Sequence, residues 1–196
     1  MTEQAKEPKV EDIKAAAEGK GCPVQKALYF VTEFLAGPMC GRCFPCAMGT
    51  YEARIRLQNL VEGNGTDADL RALRRIATDM IDASFCKKGK DTGKFILDWM
   101  ATDVYREHAE GRCPDMQCAS LIEYRIIPEK CDMCGACKDV CKYLAIHGEK
   151  RKPFKAGYFP FEIRQKRCTR CGECIKVCPT GAIVLVTVKA KEPVGV

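Results

Sequence analysis

The spacing of apolar residues changes character partway along the chain. From Val24 they fall at Val24, Ala27, Leu28, Val31 and Leu35, the three-and-four spacing of one helix face. Gly37-Pro38 breaks that stretch. A second helix is predicted over residues 47–61, with Ile55, Leu57 and Leu60, and Gly63-Asn64-Gly65 ends it. Thr66 or Asp67 can cap a third over residues 67–81, whose stripe is Leu70, Leu73, Ile76, Ala77, Met80 and Ile81. A fourth is predicted over residues 92–108, carrying Phe95, Ile96, Trp99, Met100, Val104 and Tyr105. Four helices with short connections predict a small bundle. Beyond it the helical period is lost. Residues 121–127 and 182–188 read as strands, and residues 148–160 form a basic, loop-like stretch between them.

The expected class is therefore α+β, a small helical bundle followed by a second, smaller domain. Residues 1–21 are expected to be a flexible arm with a helical turn or two at Val10–Glu18. The bundle is expected over 22–110, a linker over 111–123, the second domain over 124–188 and a loose tail over 189–196.

Composition sharpens this outline. The 196 residues include 15 cysteines, an odd number, so complete internal disulfide pairing is impossible. The first twenty residues lack a signal-peptide core, and no apolar run approaches the length needed to span a bilayer. A soluble protein of the reducing cytoplasm is expected, where dense, patterned cysteines read as metal ligands.

Twelve of these cysteines form three patterned groups. Cys131-Asp-Met-Cys134-Gly-Ala-Cys137-Lys-Asp-Val-Cys141 and Cys168-Thr-Arg-Cys171-Gly-Glu-Cys174-Ile-Lys-Val-Cys178-Pro179 are an internal repeat with a period of 37 residues. Three closely spaced thiolates can wrap one corner of an iron–sulfur core. Gly135 and Gly172 let the backbone turn tightly around it. The competing reading is a pair of four-thiolate zinc sites, but zinc usually takes two separated C-x2-C knuckles. Cys40-Gly-Arg-Cys43-Phe-Pro-Cys46 is a further run, at the start of a predicted helix. Cys86 is the natural fourth ligand, because a helical hairpin could return it to that loop.

Residues 124–187 resemble a two-cluster bacterial ferredoxin. Carried over by position, the resemblance assigns one [4Fe–4S] cluster to Cys131, Cys134, Cys137 and Cys178. It assigns another to Cys168, Cys171, Cys174 and Cys141. Lys142 stands where that family usually has proline. Residues 24–105 resemble the helical iron–sulfur domain of the flavin-bearing subunit of complex I and of NAD-linked, including electron-bifurcating, hydrogenases and formate dehydrogenases. That implies a third [4Fe–4S] cluster on Cys40, Cys43, Cys46 and Cys86. Ala47 replaces the usual arginine there, and Pro38-Met39 the usual acidic-serine pair.

The resemblance implies an electron-transfer subunit in an anaerobe. Its expected partners are a flavin/NAD(P)-binding subunit, a catalytic subunit and a soluble ferredoxin, with hydrogen, formate or an aldehyde as substrates of the parent complex. The chain has no glycine-rich nucleotide loop, since Gly63-Asn64-Gly65 is only a turn, so alone it should not oxidise NAD(P)H. It is expected to be a free-standing counterpart of such a subunit's C-terminal portion.

Three cysteines remain. Cys22, Cys113 and Cys118 with His108 make a Cys3His set, suited to a structural zinc ion. Buried free thiols, or a surface histidine with unrelated cysteines, are the alternatives. His147 reads as solvated.

The formal charge is +6. A zinc-stabilised nucleic-acid-binding module is thus the rival function, with Phe154, Tyr158 and Phe159 near a basic run as its platform. Twelve ligand thiolates, set against three cluster cores of about +2 each, bring the charge close to zero. The basic excess then reads as compensation for cluster charge, with no nucleic acid involved.

Overall fold

The helical spacing of the first half folds as expected, with one division that it did not announce. In a computed structural model, residues 8–154, 157 and 159–187 are described. Two compact units divide at Leu121/Ile122. The expected tail, the first seven residues, Tyr158 and Val188 lie outside the described residues.

In the first unit, α1 (Val10–Glu18), α2 (Pro23–Ala36), α3 (Phe44–Glu62) and α4 (Asp67–Ala83) are followed by α5 (Lys87–Met100) and α6 (Val104–Ala109). The helix expected over residues 92–108 is therefore two helices. Residues 101–103 carry neither glycine nor proline, so no breaker marks the join. There the Thr102 hydroxyl donates to the Trp99 carbonyl at 2.9 Å, a local bond that competes with helix continuation. Residues 10–18, expected within a flexible arm, bury Ile13 and Ala17 in the core.

Each long helix turns one face inward: Val24, Ala27, Phe30, Val31 and Phe34 from α2, Ala53, Leu57 and Leu60 from α3, Leu73, Ala77 and Met80 from α4. Phe30 stacks on Phe95 of α5 with centroids 4.3 Å apart. At Gly93 a Cβ would lie 2.5 Å from the Ala77 carbonyl oxygen, so α5 approaches the α4 backbone where only glycine fits. A capping box at Thr66 and Asp69 starts α4. Arg56 of α3 then reaches Asp69 at 2.9 Å, tying the two helices together.

The second unit is built on pairing between its first and last strands. β1 (Ile122–Ile126) runs antiparallel to a strand at Ile183–Thr187, with Tyr124 opposite Leu185. Between them lie α7 (Ala136–Val140), the two-residue strands β2 (Ile146–His147) and β3 (Glu162–Ile163), α8 (Glu173–Lys176) and finally β4, the Ile183–Thr187 strand. β2 and β3 pair antiparallel, Ile146 opposite Ile163. Residues 148–160 thus connect two paired strands, and Lys150 binds Asp139 of α7 at 2.6 Å.

The 37-residue period is written in the backbone as well as in the cysteines. Left-handed residues recur as Met133 and Arg170 (both φ 59°), Gly135 and Gly172 (81° and 77°), and Leu144 and Gly181 (50° and 61°).

Candidate metal centres

Three cysteines of the first unit stand at helix N-caps: Cys22 before α2, Cys43 before α3 and Cys86 before α5. None bonds its own helix as a cap, which leaves each sulfur free to ligate. The positive end of the helix dipole favours the thiolate there.

Cys40, Cys43, Cys46 and Cys86 are brought to one end of the bundle. The α3–α4 hairpin returns the chain to Cys86. All three other thiols act electrostatically on Cys46, which burial, then Cys43, push up to about 11. A backbone N–H from Phe85 holds Cys43 below its ordinary value. Gly89, in the first turn of α5, lies against this group: a Cβ there would stand 3.1 Å from the Cys46 sulfur and 2.7 Å from the Ser84 hydroxyl. Cys43 and Cys46 are buried, whereas Cys40 and Cys86 are exposed.

In the second unit two recesses each gather four cysteines. One is lined by Cys131, Cys134, Cys137 and Cys178. The other is lined by Cys141, Cys168, Cys171 and Cys174. Each run thus supplies three cysteines to one recess and its fourth to the other. Burial repeats with the sequence: in each run the first and fourth cysteines are half-buried, the second exposed and the third buried. The fourth sulfur accepts a backbone N–H from four residues on in both, Ala145 to Cys141 at 3.4 Å and Ala182 to Cys178 at 3.3 Å. Such donors stabilise a ligating thiolate and tune the potential of what it binds. The donor chemistry of both recesses fits a [4Fe–4S] core.

Cys22, His108, Cys113 and Cys118 form a tighter group, all buried, with ligand atoms within 4.8 Å of one another. His108 Nε2 lies 3.5 Å from Cys22 Sγ and 3.3 Å from Cys118 Sγ, and the two sulfurs are 3.9 Å apart. A tetrahedral ion with bonds of about 2.3 Å to sulfur and 2.0–2.1 Å to nitrogen would hold such atoms roughly 3.5–3.8 Å apart. The set therefore fits one zinc ion. His108 Nδ1 lies 2.8 Å from the Val104 carbonyl, which orients Nε2 toward the sulfurs. Burial pulls His108 down, but its bonds to Cys113 and Cys22 outweigh this and push it up to about 10. The Tyr105 hydroxyl is buried with no hydrogen-bond partner among the described residues, and burial, then Cys22, push it up. Cys113 and Cys118, expected in a linker, belong to the core of the first unit.

Other sequence expectations move. His147, expected to be solvated, is half-buried in β2, and its Nε2 is buried with no partner among the described residues. Arg56 pairs with Glu52 and Asp69. Arg54 lies over the Tyr51 ring, 5.4 Å from its centroid. Arg71, Arg74 and Arg75 line an open groove with Arg106. Trp99 is half-buried at the edge of the core, with Lys26 Nζ 4.2 Å above its ring. The position of Cys86 at the start of α5 and the close approach at Gly89 did not stand out in the sequence. The Cys-x-x-Gly spacing from Cys86 to Gly89 was the signal for the latter.

Comparison with known proteins agrees with this division. Residues 26–110 match the NADH-ubiquinone oxidoreductase-F iron–sulfur binding region, and residues 130–182 match a 4Fe-4S dicluster domain. The chain is 34% identical to the NADP-reducing hydrogenase subunit HndC of Solidesulfovibrio fructosivorans over 135 residues, 67% of this chain and 27% of that one. It is 37% identical to the NADP(+)-dependent formate dehydrogenase subunit beta of Moorella thermoacetica over 41% of this chain and 11% of the relative. It is 36% identical to an F-type NADH-quinone oxidoreductase chain of Streptomyces coelicolor over 46% of this chain and 21% of the relative. The chain thus spans about a quarter or less of the length of these relatives. It carries, in order, an iron–sulfur binding region of the NADH-ubiquinone oxidoreductase-F family and a 4Fe-4S dicluster domain.

Proposed function

We propose that this protein is the iron–sulfur relay of an NAD(P)-linked oxidoreductase complex, passing single electrons between a flavin-bearing partner and a ferredoxin or catalytic subunit. When bound, each cluster supplies a one-electron redox centre. A helical domain over 22–110 holds the first on Cys40, Cys43, Cys46 and Cys86. A ferredoxin-like domain over 124–188 holds the second on Cys131, Cys134, Cys137 and Cys178, and the third on Cys168, Cys171, Cys174 and Cys141. Cys22, His108, Cys113 and Cys118 hold a structural zinc ion. Hydrogen, formate or an aldehyde is the substrate class of the parent complex, which is cytoplasmic and belongs to an anaerobe.

One observation carries the reading: the crossed supply of four cysteines to each of two recesses, repeated in backbone conformation and burial. In both recesses the cysteines hold the redox centres, and the residues around them tune the potentials. The N–H groups of Ala145 and Ala182 favour the more negative, reduced state.

Among the described residues no helix is long and apolar enough to cross a membrane. The rival nucleic-acid module gains no support, because Phe154 and Phe159 protrude singly beside a lysine already paired to Asp139.

The test is anaerobic isolation with partners, followed by stopped-flow reduction with NADH or NADPH. Reduction that requires a flavin-bearing partner supports the relay. Rapid reduction of the isolated chain refutes it.

A further inference from the structure

Helix α3 is apolar on two opposite faces, yet the first unit covers only one. Cys46, Thr50, Ala53, Leu57 and Leu60 point inward. Phe44, Met48, Tyr51 and Ile55 recur at the four-three-four spacing of a second stripe and are exposed. A helix facing water on its outer side normally carries polar residues there, as α4 does with Arg71, Arg74 and Arg75. The stripe begins beside the first cysteine group, because Phe44 follows Cys43. Phe85 extends it, since its backbone N–H reaches Cys43 and its ring is 86% exposed. The two exposed cysteines of that group, Cys40 and Cys86, open at this same end.

The stripe's size and its charged border identify what covers it. At 150–250 Å² for a full aromatic side chain, the five residues expose on the order of 500 Å². That falls short of the roughly 800 Å² per partner of a standard stable interface and lies in the range of short-lived redox encounters. Arg42, Lys87 and Lys88 flank the cysteines. All three are exposed and make no ion pair among the described residues. Lys87 and Lys88 share a groove with Lys9, Glu11 and Asp91, where lysines outnumber carboxylates three to two.

We infer that the outer face of α3, with Phe85, is a transient docking surface for an acidic redox protein that exchanges electrons at the Cys40/Cys43/Cys46/Cys86 centre. The inference rests on the relay reading above and adds the partner's chemistry and its place of landing. One electron crosses the docked face. The donor is oxidised by one, the acceptor is reduced by one, and no bond or proton moves. The basic border steers the encounter, and the apolar stripe excludes water once it has formed.

The test uses the full cluster-loaded chain and two probes, an acidic soluble ferredoxin and basic cytochrome c. Calorimetry measures binding and stopped-flow measures exchange. Two double variants are compared, Tyr51→Glu/Phe85→Glu and Lys87→Glu/Lys88→Glu, each checked for unchanged iron content and sedimentation. The expected result is a ferredoxin affinity that falls roughly tenfold or more in each variant, with exchange slowing in parallel. Wild-type exchange should fall steeply with salt, and cytochrome c should show no such preference. Iron held in full while both variants bind and exchange like the wild type overturns the docking face alone. A wild-type chain with no iron on the first cysteine group overturns the relay reading and this inference with it. Concentration-dependent dimerisation abolished by Tyr51→Glu/Phe85→Glu assigns the stripe to a second copy and overturns the proposed partner.

Discussion

Replacing Cys118 with serine strikes the point where three segments of the first unit meet. Its sulfur lies 3.3 Å from His108 of α6 and 3.9 Å from Cys22 at the start of α2, and it accepts a bond from Gln25 at 3.5 Å. All four members of the group are fully buried, so nothing can turn outward to find water. Serine keeps a hydroxyl but is a poor zinc ligand, and a released ion leaves the Cys22 and Cys113 thiols and His108 Nε2 buried without the ligand bond that compensates their burial. Breaking one member of a buried, paired set costs about 3–5 kcal/mol. An unfolding entropy of about 2.1 cal/mol/K per residue over the first unit converts that into a fall of roughly 12–20 °C in melting temperature. Anaerobic calorimetry of wild type and Cys118→Ser, with zinc and iron measured on the same samples, checks this. Loss of zinc with that fall, and with iron retained, is the expected outcome. A wild-type chain free of zinc that melts within about two or three degrees of the variant, a gap the size of a surface substitution, would refute the assignment of an ion to this group.

Three further outcomes follow from other parts of the molecule. Gly93→Ala places a methyl 2.5 Å from the Ala77 carbonyl. The bundle should lose about 1–3 kcal/mol by urea melts, with the dicluster unit's iron unaffected. Gly172→Ala, at φ 77°, should cost about 1–2 kcal/mol and slow reconstitution of the recess that holds Cys171 and Cys174 more than the other, followed by absorbance near 400 nm. At Asp69, burial acts upward but the Thr66 and Arg56 bonds win and lower its folded value. Its contribution is therefore complete above about pH 5 and is lost as pH falls through that lowered value. Asp69→Asn should cost about 1–2 kcal/mol at neutral pH and flatten the acid limb of a pH–stability curve.

What the sequence disclosed depended on how local each cause was. The cysteine runs were legible because ligand spacing and the glycine after the second cysteine act within a few residues. The start of α4 at Asp67 was legible because Thr66 and Asp69 complete a capping box. The grouping of Cys22 with His108, Cys113 and Cys118 could be proposed from donor chemistry, and the folded unit does bring them together. The join between α5 and α6 was hidden, because the Thr102 hydroxyl ends the helix without glycine or proline. The left-handed Leu144 was hidden for a related reason. A leucine gives no hint of positive φ, and only its partner in the repeat, Gly181, marks the position. Residues 10–18 looked like an arm because the surface they bury belongs to α2 and the core beyond it.

The relay account rests on three iron–sulfur centres and one zinc ion in a single chain. Anaerobic metal and sulfide analysis with electron paramagnetic resonance of the dithionite-reduced protein tests it most directly. The account predicts about twelve irons, about twelve sulfides and one zinc per chain, with signals integrating to about three spins. Eight irons with a second zinc, or zinc in place of iron throughout, would contradict it.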